Sequence, residues 1–372
     1  MKIAIRHSSR NARSYRAERV KSLFNCEDGH RFEADFDLPI ENQPWRIGLV
    51  VGPSGSGKTS IGRQLGNLWE PEWPAGKPII DAICPRVDFN EVTSALAAVG
   101  LGSVPAWLRP FAVLSNGEQF RANLSRLVAE PPAGITVLDE FTSVVDRQIA
   151  RIGAGAFEKA WRRKPGGQVV ALSCHYDVAD WLQPDWIFDT ATGKFNGQCR
   201  SRRPQFDLTI RRARGSVWRH FEQHHYLKLP PMVCAQHYVG FAGGHPVAHI
   251  ALAPKFEAGR HMRACRLVVM PEWQGIGVGL RFLEEVCELQ LRGVNRWNRQ
   301  CFTLFHTSHP ALVAILKNRP GWLHVSASLF GGNRARSNES MRSSGSTIVG
   351  GGFGGHLRAV HGFKYIGTNP LP

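Results

Sequence analysis

The residues best suited to chemistry stand at Gly52-Pro53-Ser54-Gly55-Ser56-Gly57-Lys58-Thr59, between the apolar run 47–51 and the helical pattern that continues through Ser60. Glycines let the backbone curl so that successive N–H groups and a helix N-terminus converge on one anion. Gly52, Ser54, Gly55, Ser56, Gly57, Lys58, Thr59 and Ser60 are therefore the candidate phosphate cradle, with Lys58 reaching β- and γ-phosphates and the Thr59 hydroxyl holding Mg²⁺. A glycine-rich turn can match this pattern without binding anything, so the rest of the chain has to decide.

Two carboxylates follow. After the breaker Pro131-Pro132-Ala133-Gly134, the apolar run 135–138 ends in Asp139-Glu140. Acids at the end of a buried strand lie at the sheet edge where α/β folds bind ligands. Asp139 suits Mg²⁺, through a water shared with Thr59, and Glu140 suits polarising a water that attacks the γ-phosphate. A second buried run, 168–173, ends at Cys174-His175. Leu114-Ser115-Asn116-Gly117-Glu118 precedes a helix expected over 122–130, and a Ser and a Gly there can present N–H groups to an anion or simply cap the helix.

The elements that must position these groups are legible in outline. Residues 32–40 alternate apolar and polar, as a half-buried strand does. The phosphate loop leads into a helix over 58–68, and 78–81 reads as a strand. Asp88 caps a helix over 89–99, which Gly100 stops.

Taken in order, these motifs resemble an ABC-type ATPase domain over residues 30–195. The phosphate loop is similar to Walker A and 114–118 to the family's signature. Asp139 and Glu140 look like Walker B and its catalytic Glu, 143–146 resembles the D-loop, and His175 the switch histidine. The resemblance implies ATP and Mg²⁺, Thr59 and Asp139 as metal-side residues, and Glu140 and His175 in catalysis. It also implies Ser115, Gly117 and Asp146 as nucleotide-side residues, in a homodimer in which one subunit's signature faces the other's nucleotide. The chain departs from the family in two ways: no Gln occurs between Gln64 and Gln119 where the Q-loop residue belongs, and the helical insertion is short. Both speak against coupling to a membrane transporter.

Composition sets the wider frame. The 372 residues suit two domains. A formal charge of +16, from 46 Lys+Arg against 30 Asp+Glu, favours a polyanionic partner such as nucleic acid; the alternative is that the excess Arg merely solubilises the fold. The eight cysteines are scattered without a C-x-x-C pair, which fits free thiols in a reducing cytoplasm better than a zinc site or disulfide framework. No apolar run approaches the roughly 20 residues of a membrane span.

The second half has its own logic. Arg200, Arg202, Arg203, Arg211, Arg212, Arg214 and Arg219 make a basic stretch interleaved with aromatics, which suits stacking on bases or an amphipathic strand and helix. A helix is expected over 217–227, and strands over 237–241, 247–252 and 265–270. Gln274-Gly275-Ile276-Gly277-Val278-Gly279 then opens a helix, a second anion loop without a Lys-Thr pair. This segment resembles motif A of the GNAT acyltransferases. It implies that Val269, Gln274, Gly275, Gly277 and Gly279 bind acetyl-CoA beside a splayed strand pair whose second member is 301–305. Acyl transfer also needs a base and an acid lining the splay. The family's usual Tyr has no match, and His306, Ser308 and His309 are the candidates, although His309-Pro310 also suits a plain helix cap.

The expected fold is α/β: an N-terminal ABC-type P-loop NTPase domain over 1–199, a basic linker or first strand over 200–216, and a GNAT-like α+β domain over 217–372 with a flexible insertion at 331–355. The expected function is ATP hydrolysis fused to N-acetyl transfer onto nucleic acid. Acetylation of a protein or small amine, or a non-catalytic GNAT module on a nucleic-acid-associated ATPase, stays open.

Overall fold

The structure is a computed structural model. It describes residues 1–8, 14–24, 31–42, 44–197, 199, 207–225, 232, 234–255, 261–328 and 359–367. Arg200, Arg202, Arg203 and the expected insertion at 331–355 lie outside the described residues.

The chain forms two compact units, Met1–Glu72 with Pro131–Pro204, and Trp73–Glu130 with Gln205–Pro372. This differs from the contiguous division expected above, because the helical segment 73–130 groups with the C-terminal part.

In the first unit, β1 (Lys2–Ser8) pairs antiparallel with β2 (Arg31–Asp37). The main sheet is built from β3 (Ile47–Val51), β4 (Asn67–Leu68), β5 (Ile135–Leu138), β6 (Gln168–Ser173), β7 (Trp186–Asp189) and β8 (Lys194–Gly197), in the order β4-β5-β6-β3-β7-β8. All pairs are parallel except the closing β7-β8 hairpin. Every residue of β3 is buried, which is why it reads as an unbroken apolar run. The helix Lys58–Leu65 lies against the sheet at Gly62, where a Cβ would come within 2.8 Å of Leu172 and Val137 side chains. Asp185 fastens the start of β3: its carboxylate accepts from the Arg46 and Ile47 amides and from Arg162, which also pairs with buried Glu158.

The second unit holds a seven-stranded sheet, order β14-β15-β13-β12-β11-β10-β9. Its strands are β9 (Leu208–Ala213), β10 (Gln236–Ala242), β11 (His245–Lys255), β12 (His261–Val269), β13 (Phe302–Thr307), β14 (Trp322–Ser328) and β15 (Val360–Tyr365). Only β12 and β13 run parallel, and their pairing stops at Ala264 and Phe305. The cause lies on the other side of β12. Arg266 sits at φ 54°, and the register with β11 shifts there, so two residues of β12 stand against one of β11. Such a bulge bends and twists its strand. The far half of β12 therefore leaves β13, while β12 stays paired to β11 as far as Val269. The helix Val278–Leu291 buries Phe282, Leu283, Val286 and Leu291 against this sheet.

The same unit contains the helices Phe89–Ala98, Val104–Trp107 and Asn116–Ala129 around a core that includes Ile79, Ile83, Leu96, Trp107 and Ala122. Residues 78–81, expected as a strand, instead enter the helical turn Ile79–Ala82. Ile79 and Ile83 are both buried, and their spacing of four suits one face of a helical turn. The helix expected from 122 begins at Asn116, because a capping box forms: Ser115 Oγ accepts from the Glu118 amide and Glu118 accepts from the Ser115 amide. The helix expected over 217–227 is a short helix, Trp218–Phe221, between two 3-10 turns. Strand β14, which carries no clear sequence signal, was not expected.

Candidate functional sites

In the first unit, the loop after β3 folds back on itself. Gly55 and Gly57 take φ of 78° and 85°, and Gly57 opens the helix Lys58–Leu65. Lys58 Nζ donates to the Gly52 and Pro53 carbonyls at 2.9 and 2.7 Å, which arches the side chain over the loop. Ser56 is fixed by a 2.6 Å hydrogen bond with Thr190 at the end of β7. A Cβ on Gly57 would press on Ile5 of β1 and Phe32 of β2, so only glycine lets the two-stranded sheet approach.

Around this loop lies a cleft of about 460 Å³. Of the residues singled out in the sequence, Ser54, Gly55, Gly57, Lys58, Thr59, Ser60, Asp139 and Glu140 line it, together with His7, Phe32, Ser143 and Cys174, while Gly52 and Ser56 are not among the lining residues. His7 Nε2 and Ser60 Oγ are hydrogen-bonded at 2.6 Å. No local signal marks His7 or Phe32, because they are brought in by strand pairing far upstream. Glu140 and Thr142 have φ of 46° and 72°, a left-handed backbone uncommon outside glycine, and the Glu140 amide donates to Asp139 Oδ1. The Asp139 bond helps hold Glu140 in this strained turn, and both acids line the same cleft as Lys58 and Thr59.

Other expected residues are not among those lining this cleft. Asp146 caps the helix Arg147–Arg163, its carboxylate accepting from the Gln148 amide. His175 follows the end of β6, and its amide donates to Ser173 Oγ; the neighbour Cys174, not His175, lines the cleft. Ser115 and Gly117 belong to the second unit, at the start of the 14-residue helix Asn116–Ala129.

The cleft fits a nucleotide phosphate and Mg²⁺. It combines a curled loop of positive-φ glycines, a lysine, a hydroxyl at a helix N-terminus and a strand-end carboxylate, the donor set such a group requires.

In the second unit, Gly275 and Gly277 take φ of 91° and 95°, and Gly277 opens the 14-residue helix Val278–Leu291. Space around Gly277 is open among the described residues, whereas a Cβ on Gly279 would lie 2.9 Å from Val269 Cγ2. Gln274 Nε2 donates to the Val269 carbonyl at 2.9 Å and its Oε1 accepts from the Gly102 amide at 3.0 Å. The side chain thus braces the loop from behind. The open loop at a helix N-terminus and the unpaired edges of β12 and β13 fit a pyrophosphate joined to a chain that pairs with a strand.

His306, the last residue but one of β13, pairs with Gly362 of β15, and its Nε2 lies 3.2 Å from where a Cβ on Gly362 would stand. It keeps an exposed edge, yet desolvation by the surrounding protein, then the charges of Arg263 and Lys255, push its pKa down to about 4. Ser308 Oγ is buried without a hydrogen-bond partner among the described residues. His309 precedes the helix Pro310–Lys317, and its ring packs edge-on against Trp107 at 5.5 Å, with burial lowering its pKa. Of the three, His306 is the one at the splay.

Among the described residues no group of three or more His, Cys, Asp or Glu is arranged to hold a metal ion by itself, and no helix is long and apolar enough to cross a membrane.

Residues 199–303 match the model of the acetyltransferase (GNAT) family. Over these residues the C-terminal part is similar to GNAT acetyltransferases, and the chain as a whole is a mixed α/β protein. A bacterial ABC transporter cassette, solved as a dimer, is 14% identical with a TM-score of 0.35; the match covers 43% of this chain and 87% of that one. The same cassette in a post-hydrolysis state with ADP and Pi is 13% identical, also at 0.35, covering 45% and 92%. No curated protein sequence matches the chain.

Proposed function

We propose that the chain is an ABC-type ATPase fused to a GNAT N-acetyltransferase that acts on nucleic acid. The observation that carries the ATPase reading is the convergence of Lys58, Thr59, Asp139 and Glu140 on one cleft. In it Lys58 and the loop amides would hold phosphates, Thr59 and Asp139 the Mg²⁺, and Glu140 the attacking water. The metal would supply charge neutralisation on the phosphate oxygens. A second copy would bring Ser115 and Gly117, and His175 and Asp146 would act near that junction.

For acyl transfer, the open loop at 275–277 and the splay of β12 from β13 support binding of acetyl-CoA. His306, beside the point where β12 and β13 part, would take the proton that an acceptor amine loses as its nitrogen bonds the acetyl carbon; the thioester C–S bond breaks, and the CoA thiolate leaves with that proton. The exposed Arg211 and Arg212 on edge strand β9, with exposed Arg214 and Arg219 after it, favour a phosphate backbone as the partner. Arginines on an edge strand also guard it against pairing with other sheets, which keeps a protein or small-amine acceptor as the second reading. Labelled acetyl-CoA offered in parallel with DNA, RNA and total protein, with MgATP, tests the choice. Label confined to protein or to small amines would replace the nucleic-acid reading.

A further inference from the structure

The helix Asn116–Ala129 is capped by Ser115, and nearly two turns on from the cap it carries Arg121, which is 4% exposed. Arg121 Nη1 donates to the Gly100 carbonyl at 3.1 Å and to the Pro271 carbonyl at 2.6 Å. Pro271 is the first residue of the loop that ends in Gly275 and Gly277. A second tie lies beside it, where the Gly102 amide donates to Gln274 Oε1 at 3.0 Å. The surfaces are fitted at this point: a Cβ on Gly100 would stand 2.4 Å from the Gln274 carbonyl oxygen, and one on Gly102 2.9 Å from Gln274 Oε1. Gly100 also needs its φ of 85°.

A buried guanidinium is a costly way to join two segments, and a neutral side chain of the same size would pack there without desolvating a charge. Burial lowers its pKa to about 10, against the pull of Glu272 and Glu118, so it stays charged at neutral pH. Its Nε and Nη2 have no hydrogen-bond partner among the described residues. The group therefore holds the loop by one short bond while keeping donors in reserve, and a small shift of the helix would change which carbonyls it reaches. Bonds of 2.6 Å weaken steeply with displacement or misalignment.

We propose that Arg121 is a positioning residue for the acetyl-CoA loop, through which the helix that starts at Ser115 sets the conformation of residues 271–277. The proposal rests on the reading of Ser115 as a nucleotide-facing residue and of the loop as the acetyl-CoA site. Nucleotide that engages Ser115 then changes acetyl-CoA affinity, and linkage requires acetyl-CoA to change nucleotide affinity by the same factor.

The test is calorimetric titration of the full chain with acetyl-CoA, with and without Mg²⁺ and a non-hydrolysable ATP analogue, followed by the reverse titration. Wild type is expected to show a change of about 5-fold or more in both directions. Arg121→Met is expected to bind each ligand but lose the factor, with KM for acetyl-CoA altered and kcat held within about 2-fold. Arg121→Lys, which retains a donor for Pro271, recovers part of the factor, an outcome that a merely structural role would not give. Equal acetyl-CoA affinity with and without bound analogue in wild type overturns the proposal, and so does an undiminished factor in Arg121→Met. The wild-type titration decides alone if the Met variant does not fold. If wild type binds no analogue or no acetyl-CoA, the site reading itself has failed, and the proposal fails with it.

Discussion

The Glu140 amide donates to the Asp139 carboxylate at 2.9 Å while Glu140 itself stands at φ 46°, so the acid proposed to hold the metal fixes the backbone of the acid proposed to activate water. Glu140→Gln keeps the shape of the turn and removes the proton acceptor. ATP binding is expected to persist while turnover falls by about 100-fold or more. A phosphate-release assay beside nucleotide binding checks this, and unchanged turnover would take Glu140 out of the reaction.

Gly277→Glu places a side chain at φ 95° and a negative charge at the mouth of the acetyl-CoA loop. Affinity for acetyl-CoA is expected to fall by about 100-fold, since 1.4 kcal/mol is tenfold and both strain and repulsion oppose binding. ATP binding is expected to stay as in wild type. Retained acetyl-CoA affinity in this variant would remove the loop from the site.

How much of this was legible depended on whether a group is placed by its neighbours in sequence or by distant strands. The phosphate loop, Asp139, Glu140 and the Gln274 loop are strand-to-helix turns, and each announces itself within about ten residues. His7 and Phe32 reach the cleft only because β1 and β2 fold over Gly57, and nothing near them says so. Residues 78–81 misled because a short apolar run has no period long enough to separate strand from helical turn. The contacts that join 73–130 to the C-terminal part include those of Arg121, Gly100, Gly102 and Trp107, whose roles appear only once the loop at Gln274 and the ring of His309 are beside them.

Asp185 anchors β3 and gives the first unit an acid-sensitive point. Burial alone would raise its pKa, but hydrogen bonds from Arg162, Arg46 and Ile47 outweigh that and hold it below the ordinary carboxylate value. A depressed folded pKa means that the stabilisation is complete above the unfolded value near 4 and is lost as pH falls through the folded one. Asp185→Asn is expected to cost about 2 to 4 kcal/mol at pH 7 and to narrow the difference in urea midpoint between pH 7 and pH 3. Denaturation curves at both pH values check it; an equal pH response in the variant would contradict the role.

If Arg211, Arg212, Arg214 and Arg219 face phosphates, nucleic-acid affinity must fall steeply with salt. Each phosphate contact removed should flatten the log–log slope by about 0.7 to 0.9. Replacing the four by Ser is expected to flatten it by about 3 if all of them engage, with acetyl-CoA affinity unchanged. An unaltered slope would leave these arginines as guards of the edge strand.

The central claim, that nucleotide hydrolysis and acetyl transfer belong to one enzyme acting on nucleic acid, is tested most directly by label transfer from acetyl-CoA in the presence of MgATP. DNA, RNA and total protein are offered side by side to wild type, Glu140→Gln and Gly277→Glu. The account predicts label in nucleic acid with wild type, sharply less with Glu140→Gln, and none with Gly277→Glu. Label in protein alone, or equal transfer by wild type and Gly277→Glu, would contradict it.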